Sequence, residues 1–345
     1  MGFFNKYFYF MASLVLTCYA LRSSQSLINP LLASFIIALA LEPLAKRFEM
    51  MKMPRILSSI LCVVLLIFII LSVIFFFSLQ VRNINFELDS VQNTYDGVFG
   101  KLQHVIKNTL NISLTAQATL LKELYTSGLK NGVYFINHTL SLTTNFLNSM
   151  VLFALSLFFI LYYRRFLVSF LFKALHPEHH LILKRILKKI ILVVKNYVFG
   201  LSLIIIITAT LNSAGLLILG IENAIVFGTI AALLTLIPYI GIMIGSILPM
   251  VFVLFTKNSL WYPVGVLAVF MFVQFLEGNF LTPKIVGSSV CINPFVAIWG
   301  LVLGWSLLGV VGILFALPVL AIFKVIFDEI SVLKPIGYIM GIAHQ

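Results

Sequence analysis

Two apolar stretches of this chain are too long to be single membrane-crossing helices. They run from Asn223 to Thr256 and from Asn293 to Ile326. The first would measure about 50 Å as a straight helix, whereas the hydrocarbon core of a bilayer is about 30 Å thick. It must therefore break, and the sequence Ile237–Gly241 near its middle contains a proline and a glycine that can break it. We predict a re-entrant helical hairpin there, since arms of about 15 residues barely cover the core.

The second stretch repeats this pattern after one further predicted crossing helix. Asn223 aligns with Asn293, Gly241 with Gly309, and Pro249 with Pro318. Each unit would contain one crossing helix and one hairpin, so two units in tandem would have opposite orientations. The C-terminal half is therefore predicted to hold an inverted repeat, an architecture that is common in secondary transporters.

The composition supports an all-α, polytopic membrane protein. Of 345 residues, 61% are hydrophobic and only 10% are charged. The apolar runs are continuous rather than alternating, which favours helices over a β-barrel. We predict about six full transmembrane helices in addition to the two hairpins. The predicted helices cover residues 7–21, 27–45, 56–79, 146–163, 199–219 and 264–281. The first is interpreted as a retained helix rather than a signal peptide.

The basic residues are confined to particular loops, which predicts topology. The net charge is +12, and residues 164–195 contain eight basic residues and one acidic residue. Cytoplasmic loops carry such an excess, so this segment and both termini are predicted to be cytoplasmic. The localised charge disfavours nucleic-acid binding. The three cysteines have no disulfide or metal spacing.

Five segments follow from this topology. They are N-terminal helices (1–80), an extracytoplasmic amphipathic insert (81–147), helix four with a basic interfacial helix (148–198), the two helix-plus-hairpin units (199–327) and a cytoplasmic tail (328–345). The basic helix either lies on anionic lipid or is an ordinary cytoplasmic loop.

Glu277 is the strongest candidate functional residue, because a carboxylate at membrane depth is expensive. Gln274, Asn279 and Pro283 accompany it, and Asn212 is a candidate for lining a cavity. The competing interpretation is an interfacial Glu277 paired with Lys284. The residues of the predicted hairpin tips either line the path or allow close helix packing. These tip residues are Pro238, Tyr239, Gly241, Gly245, Gly304, Gly309 and Gly312.

The order and spacing of these motifs across residues 200–326 resemble the autoinducer-2 exporter family, also called PerM-like permeases. The Ile237–Gly241 tip, Glu277 with Asn279 and Pro283, and the glycines up to Pro318 carry the resemblance. The resemblance implies a homo-oligomeric permease of the bacterial inner membrane. Members are associated with autoinducer-2 export, and others are described as sodium or potassium/proton antiporters.

We therefore expect a permease that moves a small hydrophilic solute such as a quorum-sensing signal. The first alternative is a cation/proton antiporter, for which one acidic residue at depth suffices. The second is a non-transporting membrane scaffold. An enzyme is not expected, because no catalytic constellation or metal set is visible, and neither is a cofactor. The expected partners are a small molecule or ion, membrane lipid and further copies of the chain.

Overall fold

The computed structural model describes residues 3–82, 147–236, 240–257, 259, 261–285 and 292–341. These residues form helices and turns, and no β-strand is found among them. The helices are α1 (Phe3–Ser23), α2 (Gln25–Met50), α3 (Arg55–Arg82), α4 (Leu147–Ala174), α5 (His180–Ile218), α6 (Ala224–Leu234), α7 (Ile240–Thr256), α8 (Trp261–Leu276), α9 (Thr282–Ile285), α10 (Pro294–Glu329) and α11 (Lys334–Met340). The all-α prediction is confirmed.

Six described helices are long and apolar enough to cross a membrane, judged by length and composition. These candidate spans begin at Gln25, Arg55, Leu147, Pro177 (the short turn before α5), Trp261 and Pro294, and the last of them is the stretch that the sequence predicts as the second hairpin. Many of their large apolar side chains are exposed, such as Phe68 and Phe166, each at 69%. Exposed apolar surface of this extent suits a lipid environment rather than water. The chain is a multi-pass membrane protein, as predicted.

One predicted boundary is wrong. The sequence analysis separates a basic interfacial helix from a crossing helix that begins at residue 199. In the structure, α5 continues without interruption from His180 to Ile218 over 39 residues. The sequence between these residues contains no proline, so no backbone donor is missing and nothing forces the helix to end. The basic segment is the first part of α5.

Contacts divide the chain into two compact units. Unit 1 takes its residues from 1–72, 149–204 and 278–345, and unit 2 from 73–148 and 205–277. The five-segment division predicted from the sequence concerns topology and stays a prediction. The predicted extracytoplasmic insert, residues 81–147, lies almost entirely outside the described residues.

Helix α2 is the centre of unit 1. One of its faces, with Ala38 and Leu41, packs against Cys62 of α3 and Leu157 of α4. Another face, with Ile36 and Ala40, packs against α5 and the second half of α10. Alanines on both faces allow neighbouring helices to approach closely, which is a common way to pack helices in membranes.

Helix α10 turns sharply at Gly309, inside the apolar run for which the sequence predicts the second hairpin. Gly309 has φ 63° and ψ −142°, a conformation outside the helix that strongly favours glycine. The two arms pack closely together beyond this turn. Gly304 shows how close they are, since an added Cβ there would lie 2.5 Å from the carbonyl oxygen of Gly312. The first arm begins with Asn293 as its N-cap, whose side chain accepts a hydrogen bond of 2.8 Å from the backbone N–H of Val296.

Helices α6 and α7 form the core of unit 2 together with α8. The rings of Phe227 and Phe252 lie 5.0 Å apart between α6 and α7. A Cβ on Gly245 would lie 2.8 Å from Cα of Ala231, so this glycine permits close contact of the two helices. The break between them includes residues 237–239, which lie outside the described residues. The apolar run for which the sequence predicts the first hairpin thus contains two packed helices, and their re-entrant insertion stays a prediction.

Candidate functional site

A small cavity in unit 2 brings together polar side chains from two helices, α5 and α8, and from the residues that follow the ends of α6 and α8. Its volume is about 10 Å³, which is close to the minimum that holds one water molecule. Its lining residues are Asn212, Ala231, Thr235, Phe270, Val273, Gln274 and Glu277. Three of them, Asn212, Gln274 and Glu277, are predicted site residues, and the structure places them around one space.

Asn212 is the most buried polar residue of this cavity. It lies in the second half of α5 and its side chain is 4% exposed. Its carbonyl oxygen Oδ1 is buried and has no hydrogen-bond partner among the residues that the structure describes. An unsatisfied buried acceptor costs about 1–3 kcal/mol, so its presence here requires a reason other than packing. A ligand in the cavity that interacts with Oδ1 would supply that reason.

Close packing of α6 on α5 holds Asn212 in place. Gly228 of α6 lies against Ser213, so that any Cβ at position 228 would collide with the Ser213 side chain and backbone. Ser213 and Thr208, on the same part of α5, are both buried. A glycine in α6 therefore lets the helix approach the turn that carries Asn212, and this restricts where its amide can move.

Glu277 and Gln274 reach the cavity from the end of α8. They are three residues apart, so they lie on one face of the helix. Glu277 also begins a five-residue π-helical segment, Glu277–Leu281, and such segments occur frequently at functional sites. The helix therefore changes type at Glu277 and does not end there.

Glu277 lacks the ion pair that the competing interpretation requires. The ion pairs formed by described residues involve Glu42, Glu49, Asp328 and Glu329 but not Glu277. Its carboxylate is partly buried and faces amide and hydroxyl groups at the cavity. A carboxylate in such a place can bind a proton or a small cation, which are the two partners that would neutralise it.

Thr235 was missed by the sequence analysis. It follows the last residue of α6, and its hydroxyl donates a hydrogen bond of 2.7 Å to the carbonyl oxygen of Ala232. The hydroxyl oxygen keeps acceptor capacity that can face the cavity. The signal that could have found it is its place just before Pro238, because the end of a helix before a break brings polar groups to the break.

The other predicted site residues do not line this cavity. Asn279 and Pro283 are exposed and belong to unit 1. Pro238 and Tyr239 lie outside the described residues. The tip glycines have structural roles. Gly309 adopts a positive φ at the turn of α10, and four others lie against neighbouring backbone or side chains, which permits close packing: Gly241, Gly245, Gly304 and Gly312. No cluster of three or more potential metal ligands is found in the described part of the chain.

A family model described as the AI-2E family transporter matches residues 8–331, which is nearly the whole chain. The chain belongs to the AI-2E transporter family. Members of this family are transporters, so the chain is a membrane permease and not an enzyme. The resemblance that the glycine, proline and acidic motifs indicate is therefore confirmed.

Individual AI-2E relatives are distant along the full length. The AI-2 transport protein TqsA of Escherichia coli is 23% identical over 92% of this chain and 90% of its own length. YueF of Bacillus subtilis, provisionally named as a transport protein, is 27% identical over 88% of this chain and 84% of its own. YrrI of the same organism, also provisionally named, is 33% identical, but the match spans 38% of this chain and only 36% of YrrI.

Proposed function

We propose that this AI-2E transporter moves a small hydrophilic solute, of the kind that the name of TqsA specifies, across the bacterial inner membrane. In this proposal Glu277 binds a proton or a cation that drives or gates the movement. The observation that carries the proposal is the meeting of Glu277, Gln274 and Asn212 at one cavity of unit 2. Both termini would be cytoplasmic, and the permease would be a homo-oligomer.

The chemistry of the cavity supports a small, positively charged occupant. Amide, hydroxyl and carboxylate oxygens are ligands that suit hard cations, and a carboxylate also accepts a proton. The cavity has room for about one water molecule, so an organic solute does not fit in this conformation. The solute would therefore need a wider path than this cavity. Asn279 and Pro283, which are exposed, stay candidate residues of such a path.

The lengths of the hairpin arms support re-entrant insertion. Helix α6 has 11 residues, which corresponds to about 16 Å and is roughly half of the hydrocarbon thickness. The second hairpin lies along α2, where its tip contacts Gln25 and Asn29 and its second arm contacts Ile36 and Ala40. Two hairpins of this kind would form the inverted repeat predicted from the sequence.

The size of the cavity also favours a second candidate function, a sodium or potassium/proton antiporter. One carboxylate that binds either a proton or a metal cation, but not both, is sufficient for exchange. In that case the ion in the cavity would be the transported substrate. A third candidate, a membrane scaffold that transports nothing, would leave Glu277 without a role.

Flux measurements in proteoliposomes test these proposals. Internal pH is followed after addition of sodium or potassium, and autoinducer-2 uptake is followed separately. The variants are wild type, Glu277→Gln and Glu222→Gln; Glu222 is the matched control, because it is an exposed acid of unit 2 that does not line the cavity. Autoinducer-2 flux that depends on Glu277 but not on Glu222 would support the permease proposal.

The other outcomes separate the alternatives. Cation-driven pH change that is lost only in Glu277→Gln would make the protein an antiporter. Equal flux in wild type and both variants would show that the Glu277 carboxylate takes no part in transport. No flux of any tested ion or of autoinducer-2 would favour the scaffold.

A further inference from the structure

Two adjoining cavities at the basic end of α3 and α4 have the form of a phospholipid site. The first, which we call the arginine pocket, has a volume of about 410 Å³ and is lined by Arg55, Arg165, Tyr162, Tyr163, Pro54 and their neighbours. The second, which we call the apolar groove, has a volume of about 340 Å³ and lies along Phe159, Tyr163, Phe166 and Leu167 of α4. Tyr163 and Phe166 line both, so the two cavities lie side by side.

The arginine pocket carries an excess of positive charge. Arg164 and Arg165 share one partner, Glu49, at 2.8 Å and 2.7 Å. Arg55 takes part in none of the ion pairs among the described residues. The two guanidinium groups that line the pocket, those of Arg55 and Arg165, therefore have one carboxylate partner among the described residues, that of Glu49, which Arg164 shares. Arg165 is 58% exposed, and because a guanidinium has five donors it can bind an anion while it keeps its bond to Glu49.

The residues of the pocket suit a phosphate group at the membrane surface. Guanidinium groups bind phosphate oxygens with paired hydrogen bonds, which makes arginine the residue of choice for phosphate recognition. Tyr162 and Tyr163 add phenol rings of the type that concentrates at the interface between membrane and water. Arg55 is the first residue of α3, so the positive end of that helix also faces the pocket.

The apolar groove suits an acyl chain. Phe159, Phe166 and Leu167 are 50%, 69% and 44% exposed, and the groove that they line presents no polar surface. It leads from the arginine pocket along α4, a candidate membrane span. A charged pocket at the basic end of a membrane helix, continued by an apolar groove along that helix, matches the two parts of a phospholipid.

We propose that the arginine pocket and the apolar groove bind one anionic phospholipid from the leaflet next to the basic helix ends. Its phosphate lies between Arg55 and Arg165, and one acyl chain lies in the groove. The site belongs to unit 1 and does not depend on the function proposed for the cavity of unit 2. The lipid is a structural or regulatory ligand of the permease and not its transported solute.

Native mass spectrometry of the full chain in a neutral detergent tests the site. The probes are phosphatidylglycerol and phosphatidylcholine with identical acyl chains. Wild type is expected to retain phosphatidylglycerol preferentially. Each basic residue strengthens the binding of an anionic lipid about fivefold, so Arg55→Gln with Arg165→Gln should lower that preference about 25-fold. Arg55→Lys, which keeps the charge, should preserve most of it and shows that the chain still folds.

Two controls distinguish a site from a diffuse surface charge. Lys173→Gln removes an exposed charge from α4 outside the pocket and should leave the preference unchanged. Leu167→Trp fills the groove and should weaken lipid retention, whereas Val168→Trp, next to it but outside the groove, should not. Equal losses in Arg165→Gln and Lys173→Gln would overturn the proposal.

Two further outcomes would contradict the proposal of a bound anionic phospholipid. Glycerol phosphate carries the headgroup chemistry without the chains. If it displaces phosphatidylglycerol at equal concentration, the pocket binds a water-soluble phosphate ester and the proposed lipid is wrong. If phosphatidylcholine is retained as well as phosphatidylglycerol, the arginines do not select the headgroup and the proposal fails.

Discussion

The side-chain amide of Gln25 donates a hydrogen bond of 2.8 Å to the carbonyl oxygen of Leu307, two residues before the turn of the second hairpin. Asn29, one helical turn further along α2, donates in the same way to Leu308 at 3.2 Å. The turn at Gly309 ends the first arm, and the last carbonyl groups of a helix have no partner within it. Two amides of α2 therefore satisfy groups that a membrane would otherwise leave unpaired.

We expect Gln25→Ala to loosen the tip of the second hairpin. Loss of one neutral hydrogen bond costs about 0.5–1.5 kcal/mol, which corresponds to a roughly two- to twelvefold rise in local opening. Hydrogen–deuterium exchange of a peptide that covers residues 305–312 measures this opening. Ser26→Ala, at an exposed neighbouring position, should leave exchange unchanged. Equal exchange in wild type and Gln25→Ala would show that the bond does not hold the tip.

Gly304→Ala should destabilise unit 1. A methyl group at this position would lie 2.5 Å from the carbonyl oxygen of Gly312 and 3.4 Å from the side chain of Ala316. Backbone cannot move aside as a flexible side chain can, so the arms must separate, and overpacking of this kind costs about 1–3 kcal/mol. Thermal unfolding in detergent measures the change. Gly278→Ala is the control, because no atom of the described residues lies within 4 Å of an added Cβ there. Equal unfolding temperatures for the two variants would contradict the close approach.

Glu329→Gln should weaken the contact between α5 and the end of α10. The Glu329 carboxylate pairs with Lys189 and, at 3.3 Å, with Arg185. Its side chain is only 9% exposed, but both partners are more than half exposed, so we expect a loss of only about 0.5–1 kcal/mol. The loss should shrink in high salt, which screens exposed charges.

Asp328→Asn is the matched control for Glu329. Asp328 pairs with Lys324 within the same helix and is 43% exposed, so its loss should cost no more than about 0.5 kcal/mol. Thermal unfolding of both variants at low and high salt makes the comparison. A larger effect for Asp328→Asn would show that the Glu329 pairs do not join the helices.

The hairpins were predictable because their cause is local in the sequence. An apolar run longer than the membrane is thick has to break, and Gly309 marks the place where the second run does so. Glu277 and Gln274 were predictable for a similar reason, since three-residue spacing puts them on one helix face. Asn212 was predictable as a candidate because amides are uncommon in such an apolar segment.

Other features of the fold and of the cavity were not predictable, because they depend on contacts between residues that are far apart in the sequence. Gln25 and Leu307 are 282 residues apart, and no local pattern in either segment indicates that they meet. Thr235 belongs to the cavity only because α6 packs on α5 and α8. The start of α5 was wrongly predicted at residue 199, because the change from basic to apolar residues suggested a helix boundary there. The backbone continues through this point as one helix. The π-helical segment at Glu277 reflects local backbone adjustment that residue type alone does not specify.

Asn212→Leu should separate stability from function. The buried Oδ1 of Asn212 has no partner among the described residues, and its desolvation costs about 1–3 kcal/mol. Leucine is of similar size and has no polar group, so unfolding temperature should stay equal or rise. Flux should nevertheless fall, because the cavity loses an oxygen that could bind the coupling ion. Thermal unfolding and proteoliposome flux, measured on the same preparation, test both halves of the prediction.

The matched control for Asn212 is Thr210→Val. Thr210 lies on α5, its hydroxyl bonds to the carbonyl oxygen of Ile206 at 2.8 Å, and it does not line the cavity. This variant should change neither flux nor stability by much, since the lost bond is exposed. If Asn212→Leu unfolds at a lower temperature than wild type, the amide has a structural role. If its flux equals that of wild type, the cavity is not the coupling site, whatever the outcome for Glu277→Gln.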